Sequence, residues 1–581
     1  MKRFSVAVVC AAAVGTLAWA PGERAQAQQA RSVPDLARLV QAGDTKQALA
    51  QIEAGADVNR AQPDGTTPLL WAVYRADHEV AEALIAKKAN VNVANEFGAT
   101  PLTEAARKSD ARLVKMLLDA GARVDSANPD GETALMMAIS GGDLKVVQML
   151  VNAGANVNTV EKFHNQTPLM YAAAANRNAA EMVKLLLSRG ADVKPRALFS
   201  DWPSQITSEP RAQYRSVGGL TALLYAARSG CYDCVEELIA AGADVNVPTP
   251  EGITPLMIAL DNEHNDVAKL LMDKGANLEV WDWWGRTALW IAVDRKTPPG
   301  GGGGGFGGFG GGRGAGGGAR GGLAGGAPRA GQGAAAAARA SARPAVSSME
   351  IIHRLLDAGV NPNPIMNFHR PNAPGRGRFQ DNQISTGTTA LFRAVQNRDA
   401  EVVRALLEKG ADPNINTMGY SPLLLASGAG PGRGGIQPNM QVLDLLVQHS
   451  ADVNFKVTGT NLYSFNVSRE NLGNKEALSQ EGSSALHEAA RAARPDLVKY
   501  LLDHGANPDL LDAAGNKPID VIGTPRVARG GNAINIRAGA QAPAAGAAPG
   551  SARGGSGARG AANPEAVAQI RAMLEAASAK K

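Results

Sequence analysis

Cysteine, aromatic residues and long apolar runs are all scarce in this chain of 581 residues, and each scarcity removes a class of protein. Aromatic residues make up 4% of the sequence, so the architecture does not rest on one large aromatic core. Past Trp19 no stretch of about 18 apolar residues occurs, so nothing after the N-terminal segment is expected to cross a membrane as a helix. Of the three cysteines, Cys10 lies inside that apolar N-terminal segment, which leaves Cys231 and Cys234 beyond it. Catalytic signatures are missing as well. There is no H-E-x-x-H, since "HEAAR" at His487 lacks the second histidine, and there is no nucleophile elbow or strand-linked phosphate loop. Glycine runs within 300–322 match G-x-G-x-x-G trivially, with no strand before them and no helix opening on them. The eight histidines are scattered, none grouped with acids or cysteines in a way that suggests a metal site. The expectation is a chain that is not an enzyme and holds no metal and no cofactor.

What is present begins with a segment that reads as an export signal. Lys2 and Arg3 form a positive start, Phe4 to Trp19 an apolar stretch, and Ala25 and Ala27 the small residues of a cleavage site. Cleavage near Ala27 is expected, giving a mature chain from about Gln28 in the periplasm or outside the cell, an oxidising compartment. The net charge of +5 is carried by particular segments. Residues 298–347 hold five arginines and no acid, and so do residues 523–563. With these and the N-terminal segment set aside, the remainder carries about −7, which argues against a nucleic-acid-binding body. The Arg-Gly stretches read as flexible soluble loops, with contact to an anionic envelope surface as the functional alternative.

Self-similarity dominates the rest. Gly65, Gly98 and Gly131 each open G-x-T-P/A-L at a spacing of 33 residues, and Gly219, Gly252 and Gly285 repeat the pattern at the same spacing. Gly387, Gly419, Gly482 and Gly515 continue it, and Asn165 stands in the glycine position of "NQTPLMYAA". Late in each unit comes "GADVN" or a close variant, at Gly55, Gly121, Gly154, Gly190, Gly242, Gly275, Gly410 and Gly505. Thr67 can cap a helix that begins at Pro68, whose missing N–H is no loss in a first turn. "ARLVKMLLDAG" predicts a second amphipathic helix with Leu113, Val114, Leu117 and Leu118 on one face, ended by Gly121 in the left-handed conformation. Asn128, Pro129 and Gly131 then predict an extended turn, or finger.

On these motifs the sequence closely resembles the ankyrin repeat family: T-P-L, helix, short turn, helix, G-A-D-V-N, at a 33-residue period. The resemblance covers roughly residues 33–522, with interruptions, as about eleven units and a partial last one. It implies an all-α solenoid of stacked helix-turn-helix units with protruding β-turn fingers, interrupted by disordered Gly/Ala/Arg-rich loops. It also implies a protein-binding scaffold whose concave face and fingers form the surface. The expected layout is a signal at 1–27, repeats over 33–296 and 348–522, insertions over 297–347 and 523–563, and a capping helix over 564–581. Insertions at 195–218, 362–386 and 455–481 fall at fingers, whereas 297–347, 428–439 and 523–563 separate the two helices of a unit. "SSMEIIHRLLDAGVNPN" is expected to supply the second helix of the "RTALWIAV" unit, and "NPEAVAQIRAMLEAA" to return and cap "NKPIDVI". "RSVPDLARLVQAGD" is expected to form an N-terminal half-unit.

Two residue sets remain. "VWDWWGRTALW" places Trp281, Trp283 and Trp284 in one finger, and two tryptophans side by side at a tip cannot both pack inward. Trp290 takes the helix-1 slot in which the family usually has histidine, matched here by His487; it is read either as inter-repeat packing or as the centre of an apolar groove. Phe97, Phe163 and Tyr420 are expected at other finger tips. Together these seven aromatics form the expected contact zone for a protein partner of a monomeric chain, with a glycan or cell-wall polymer as the alternative ligand. Cys234 falls in the core column of Val80, Leu113, Val146 and Val402, and Cys231 in the column of Asp77, Asp110, Asp143 and Asp399, which looks like a helix cap. For that C-x-x-C pair a structural role (reduced or as a local disulfide), a redox role and half of a metal site all stay open.

Overall fold

A threonine or serine two residues after the finger glycine starts the first helix of a repeat, Lys517 after Gly515 being the exception. In the computed structural model, which describes residues 35–200, 217–296, 344–366, 387–417, 419–429, 437–458, 481–524 and 563–580, Thr67 Oγ1 accepts the Leu70 N–H at 3.2 Å. Thr133, Thr167, Thr221, Thr254, Thr389 and Ser421 accept the equivalent amide in the same way, each satisfying a donor that the first helical turn would otherwise leave unpaired. The expected export signal and the greater part of all six insertions lie outside the described residues.

The chain divides into two compact units, one up to Lys162 and one from Phe163. The first holds four helix pairs: α1 (Leu36–Ala42) with α2 (Thr45–Glu53), α3 (Pro68–Arg75) with α4 (His78–Ala86), α5 (Pro101–Arg107) with α6 (Ala111–Asp119), and α7 (Ala134–Gly141) with α8 (Leu144–Asn152). The second begins with α9 (Pro168–Ala173) and α10 (Ala179–Ser188), then α11 (Ala222–Ser229) and α12 (Tyr232–Ala240), and α13 (Pro255–Asp261) and α14 (Asn265–Asp273). It continues with α15 (Ala288–Lys296) and α16 (Ser348–Asp357), α17 (Ala390–Gln396) and α18 (Ala400–Glu408), and α19 (Pro422–Ala426) and α20 (Met440–Gln448). The last pair is α21 (Ala485–Arg491) with α22 (Pro495–Asp503), closed by a 3-10 turn at Pro518–Val521 and by α23 (Pro564–Ala579). Each unit is thus an all-α repeat solenoid. The N-terminal repeat has both its helices, where the sequence suggested half a unit. One addition to the all-α expectation is a two-residue antiparallel strand pair, Phe199–Ser200 with Val217–Gly218, at the base of the first insertion.

The core is a column of leucines and valines on the second helices: Leu84, Leu117 and Leu150 in the first unit, and Leu186, Leu238, Leu271, Leu355, Leu406, Leu446 and Leu501 in the second, none of them exposed. Truncating one such leucine to alanine removes about 2–5 kcal/mol. Gly121 adopts φ +85° after α6, as its place at a helix end requires. Gly98 has a second reason to be glycine, because a Cβ there would collide with Pro129 Cδ of the next finger.

The asparagine of G-A-D-V-N joins neighbouring repeats. Asn59 Oδ1 accepts the Asn90 N–H at 2.7 Å, and Asn92 Oδ1 accepts the Arg123 N–H at 2.7 Å. In the second unit Asn246 bonds Asn277 at 2.6 Å and Glu279 Oε1 bonds the Asn361 N–H at 3.1 Å. Asn363, Asn414 and Asn454 bond Asp412, Asp452 and Asn507 in turn. The ladder continues across the insertions. Helix α16 packs on α15 although residues 297–343 separate them in sequence, which is why the two compact units do not divide at that insertion. Helix α23 packs on α22 and on the 3-10 turn, burying Ile570 and Leu574. Replacing residues 298–343 with a short Gly-Ser linker should therefore stabilise the chain by about 1–1.5 kcal/mol, because the entropic cost of closing a loop falls as the loop is shortened. Urea unfolding of the deletion variant checks this; a large destabilisation would mean that the segment helps hold α15 on α16.

Candidate functional site: the tryptophan finger

Several fingers share one internal scheme. Three residues before the glycine, an Asn or Asp side chain accepts amide N–H groups of the turn: Asn95 Oδ1 from Phe97 and Ala99, Asp512 Oδ1 from Ala514 and Asn516. In the finger between α14 and α15 that residue is Asp282, which accepts the Trp284 N–H at 3.0 Å and the Arg286 N–H at 2.9 Å. Here the side chain that follows the glycine joins in. Arg286 donates Nε to Asp282 Oδ2 at 2.7 Å and Nη1 to Asp261 Oδ2 at 2.9 Å, and Arg295 Nη2 reaches Asp261 Oδ1 at 3.0 Å. Arg286 and Asp282 are both buried. Burial opposes the charge on Arg286, yet the Asp261 and Asp282 carboxylates outweigh it and hold the guanidinium above its ordinary range. The same guanidinium lies 5.4 Å from the centroid of the Trp284 ring.

This lock fixes the finger from below and leaves two tryptophans standing out. Trp281 is 67% exposed and Trp283 55% exposed, whereas Trp284 is half-buried over Arg286. The Trp283 N–H donates to the Glu251 carbonyl of the preceding finger at 2.7 Å, so the tip is also held sideways. Burial raises the Glu251 carboxyl above the usual carboxylate range, against the lowering effect of a Thr249 hydrogen bond.

The other aromatics expected in a contact zone divide by register. Phe163, 69% exposed, stands on the finger that leads into α9 in the second unit, and Phe97, 67% exposed, on a finger of the first unit. Tyr420 does not join them. It is 5% exposed and pairs its backbone with Thr417, N–H to O at 2.9 Å. The physical reason is that Tyr420 directly follows Gly419, so it occupies the inward position of Arg286, Thr388 and Ser483 rather than a tip. Trp290 is likewise inside, 3% exposed, and takes the packing role rather than that of a groove. Six exposed apolar residues among the described ones escaped the sequence reading: Val160, Ile365 and Leu511 share the finger register of Trp281, Leu198 directly precedes the strand pair at the first insertion's base, and Tyr74 and Met440 lie on α3 and α20. The signal for Val160, Ile365 and Leu511 was the register counted forward from Gly154, Gly359 and Gly505, as Trp281 counts from Gly275.

The helix-1 slot has a definite job. Trp290 Nε1–H donates to Thr388 Oγ1 of the next finger at 3.2 Å, and His487 Nε2–H donates to the Asn516 carbonyl of its next finger at 3.1 Å. His487 Nδ1 accepts the Ser484 N–H at 3.2 Å, which fixes the neutral tautomer. Burial lowers the His487 pKa below its ordinary value, only partly opposed by the Asn516 hydrogen bond. The unfolded chain therefore takes up the proton first. The stability this neutral histidine gives is present above about pH 6.5 and is lost as pH falls below it. Urea midpoints at about pH 7.5 and 5.5 should show that loss, and His487→Leu, the residue of sister slots such as Leu70 and Leu424, should reduce it.

Cys231 and Cys234 are joined in a disulfide across the first turn of α12, with Cα atoms 5.2 Å apart. Cys231 caps the helix, its Sγ accepting the Cys234 N–H at 3.3 Å, in the place where Asp77, Asp110, Asp143 and Asp399 cap theirs. Cys234 is fully buried. No group of three or more His, Cys, Asp or Glu able to hold a metal occurs among the described residues, and none of their helices is long and apolar enough to cross a membrane.

Comparison with known proteins agrees with this geometry. A family model described as ankyrin repeats (3 copies) matches residues 36–128, 105–197, 223–298 and 340–457, and the ankyrin repeat model matches 481–513. Among curated proteins, the B-cell lymphoma 3 protein homolog of Mus musculus is 29% identical over 153 residues, covering 23% of this chain and 34% of that protein. The mitochondrial disaggregase of Bos taurus is 33% identical over 134 residues, covering 23% of this chain and 16% of its own length. SH3 and multiple ankyrin repeat domains protein 2 of Homo sapiens is 28% identical over 127 residues, 22% of this chain and 5% of that protein. The chain thus spans a minor part of the curated relatives it matches, and what is shared is the repeat. With more than half of its length matched, the chain belongs to the ankyrin repeat family.

Proposed function

We propose that this chain is an exported scaffold that binds a protein partner through its finger tips, with the Trp281–Trp283 finger as the anchor. The observation that carries the reading is a pair of exposed tryptophans on a turn held by the buried Arg286–Asp282 pair and the half-buried Asp261. Aromatic side chains dominate interface energetics, and a tip that is already ordered loses little further entropy on binding. The motif G-A-D-V-N supports it by registering each finger on the next. Export is part of the proposal and rests on Lys2, Arg3, the apolar stretch to Trp19 and Ala25–Ala27.

A photo-crosslinking amino acid at position 283, introduced in the native host, tests both parts. The expected result is one discrete crosslinked protein in the envelope or medium fraction, absent when the probe replaces exposed Lys115 of α6. N-terminal sequencing of the recovered chain should begin near Gln28. Crosslinks of equal yield from both positions, or a chain that retains Met1 in the cytoplasmic fraction, would refute the respective part.

A further inference from the structure

We propose that Cys231 and Cys234 form a thiol–disulfide exchange site, reduced and reoxidised without unfolding of the repeat that carries it. The disulfide joins residues three apart and so ties no distant parts of the chain together. Neither sulfur is needed to build the repeat. Sister units place aspartate where Cys231 caps α12 and valine, leucine or methionine where Cys234 enters the core. A reduced Cys231 keeps the capping position, since its sulfur still faces the Cys234 N–H, and a reduced Cys234 remains a small apolar core residue. Both redox states therefore fit one fold.

The two sulfurs also differ as exchange requires. Cys231 lies at the partly exposed start of the helix and Cys234 is fully buried, so an incoming thiolate meets Cys231 alone. The four N-terminal amides and the helix dipole favour negative charge at that end, which stabilises a Cys231 thiolate. The donor is a thiol. Its thiolate attacks Cys231 Sγ and forms a mixed disulfide; the Cys231–Cys234 bond breaks and Cys234 leaves as thiolate, then takes up a proton. A second donor thiolate attacks the donor sulfur of that mixed disulfide, which forms the donor disulfide and releases Cys231 as thiolate beside the Cys234 N–H. Two electrons pass from two thiols to the protein disulfide, and oxidation is the reverse.

The test uses the whole purified chain, equilibrated in mixtures of reduced and oxidised glutathione or of reduced and oxidised dithiothreitol. Thiols are trapped by alkylation and mapped at Cys231 and Cys234, while circular dichroism follows the helices. Both redox forms should be populated within the span of the buffers, with the helix signal unchanged. The mixture at which the two forms are equally populated gives the reduction potential of the pair, whichever buffer spans it. Two variants separate exchange from a static staple, and each installs a sister residue. Cys234→Val should form a mixed disulfide with oxidised glutathione at Cys231, whereas Cys231→Asp, with only the buried Cys234, should react at least about tenfold more slowly. A pair that stays oxidised in every buffer, reduction only together with loss of helix, or equal reactivity of the two variants would overturn the proposal.

Discussion

Arg286→Met should destabilise the second unit by about 3–5 kcal/mol, because it leaves the buried Asp282 carboxylate without its partner. The variant removes a charge that bonds two carboxylates at once, and only Asp261 keeps a replacement, in Arg295 at 3.0 Å. Denaturant unfolding monitored by tryptophan fluorescence reads the loss directly, since the affected finger carries Trp281, Trp283 and Trp284. The double variant Arg286→Met with Asp282→Asn should recover part of it. Asparagine is the residue of the sister fingers at Asn95 and Asn128, where it accepts the same turn amides without a charge. A single variant as stable as the parent would show that the network is replaceable by apolar packing, and the argument for a rigid finger would fall with it.

Trp281→Ala combined with Trp283→Ala should abolish partner binding while leaving the fold intact. Each anchor at the centre of an interface contributes about 2 kcal/mol, close to thirtyfold in affinity, and the pair need not be additive. Both side chains are exposed, so the stability change should stay within about 0.5 kcal/mol. Affinity for the crosslinked partner, measured beside the unfolding midpoint, separates the two effects. Tyr74→Ala, an exposed aromatic on α3 of the other compact unit and on no finger, serves as the control for removing an exposed aromatic. Retained binding by the double variant would move the interface away from this finger, and a tryptophan fluorescence shift with envelope polysaccharide instead of protein would replace the partner class.

The helix pairs and their threonine caps were legible because each depends on residues within one 33-residue period, and the return of α16 to α15 because α16 carries the second-helix motif of that period beyond the insertion. Exposure of a tryptophan at the Trp281–Trp284 tip was legible from crowding alone. Tyr420 was misplaced because its finger is short: the turn from Thr417 to Tyr420 closes over two residues, so proximity to Gly419 suggested a tip where the register gives an inward position. Trp290 carried two readings in sequence because its slot adjoins both core and finger; the Thr388 hydroxyl, 98 residues away in the chain, decides for the core. The Arg286 network had no sequence signature, since Asp261 belongs to the preceding repeat, 25 residues back, and no motif links the two.

The asparagine ladder has a consequence for how such a chain can change. From Glu279 to Asn361 and from Asn454 to Asn507 the rungs keep their partners although these lie 82 and 53 residues apart in sequence, against 31 at an uninterrupted rung. Position along the stack is therefore counted in rungs and not in residues. A segment gained or lost between two rungs leaves the spacing of the fingers on either side unaltered, so the lengths of the insertions are free to drift while the geometry of the displayed side chains is inherited unchanged. The same property makes residues 298–343 a natural place to graft a reporter domain without disturbing what the tryptophan finger presents.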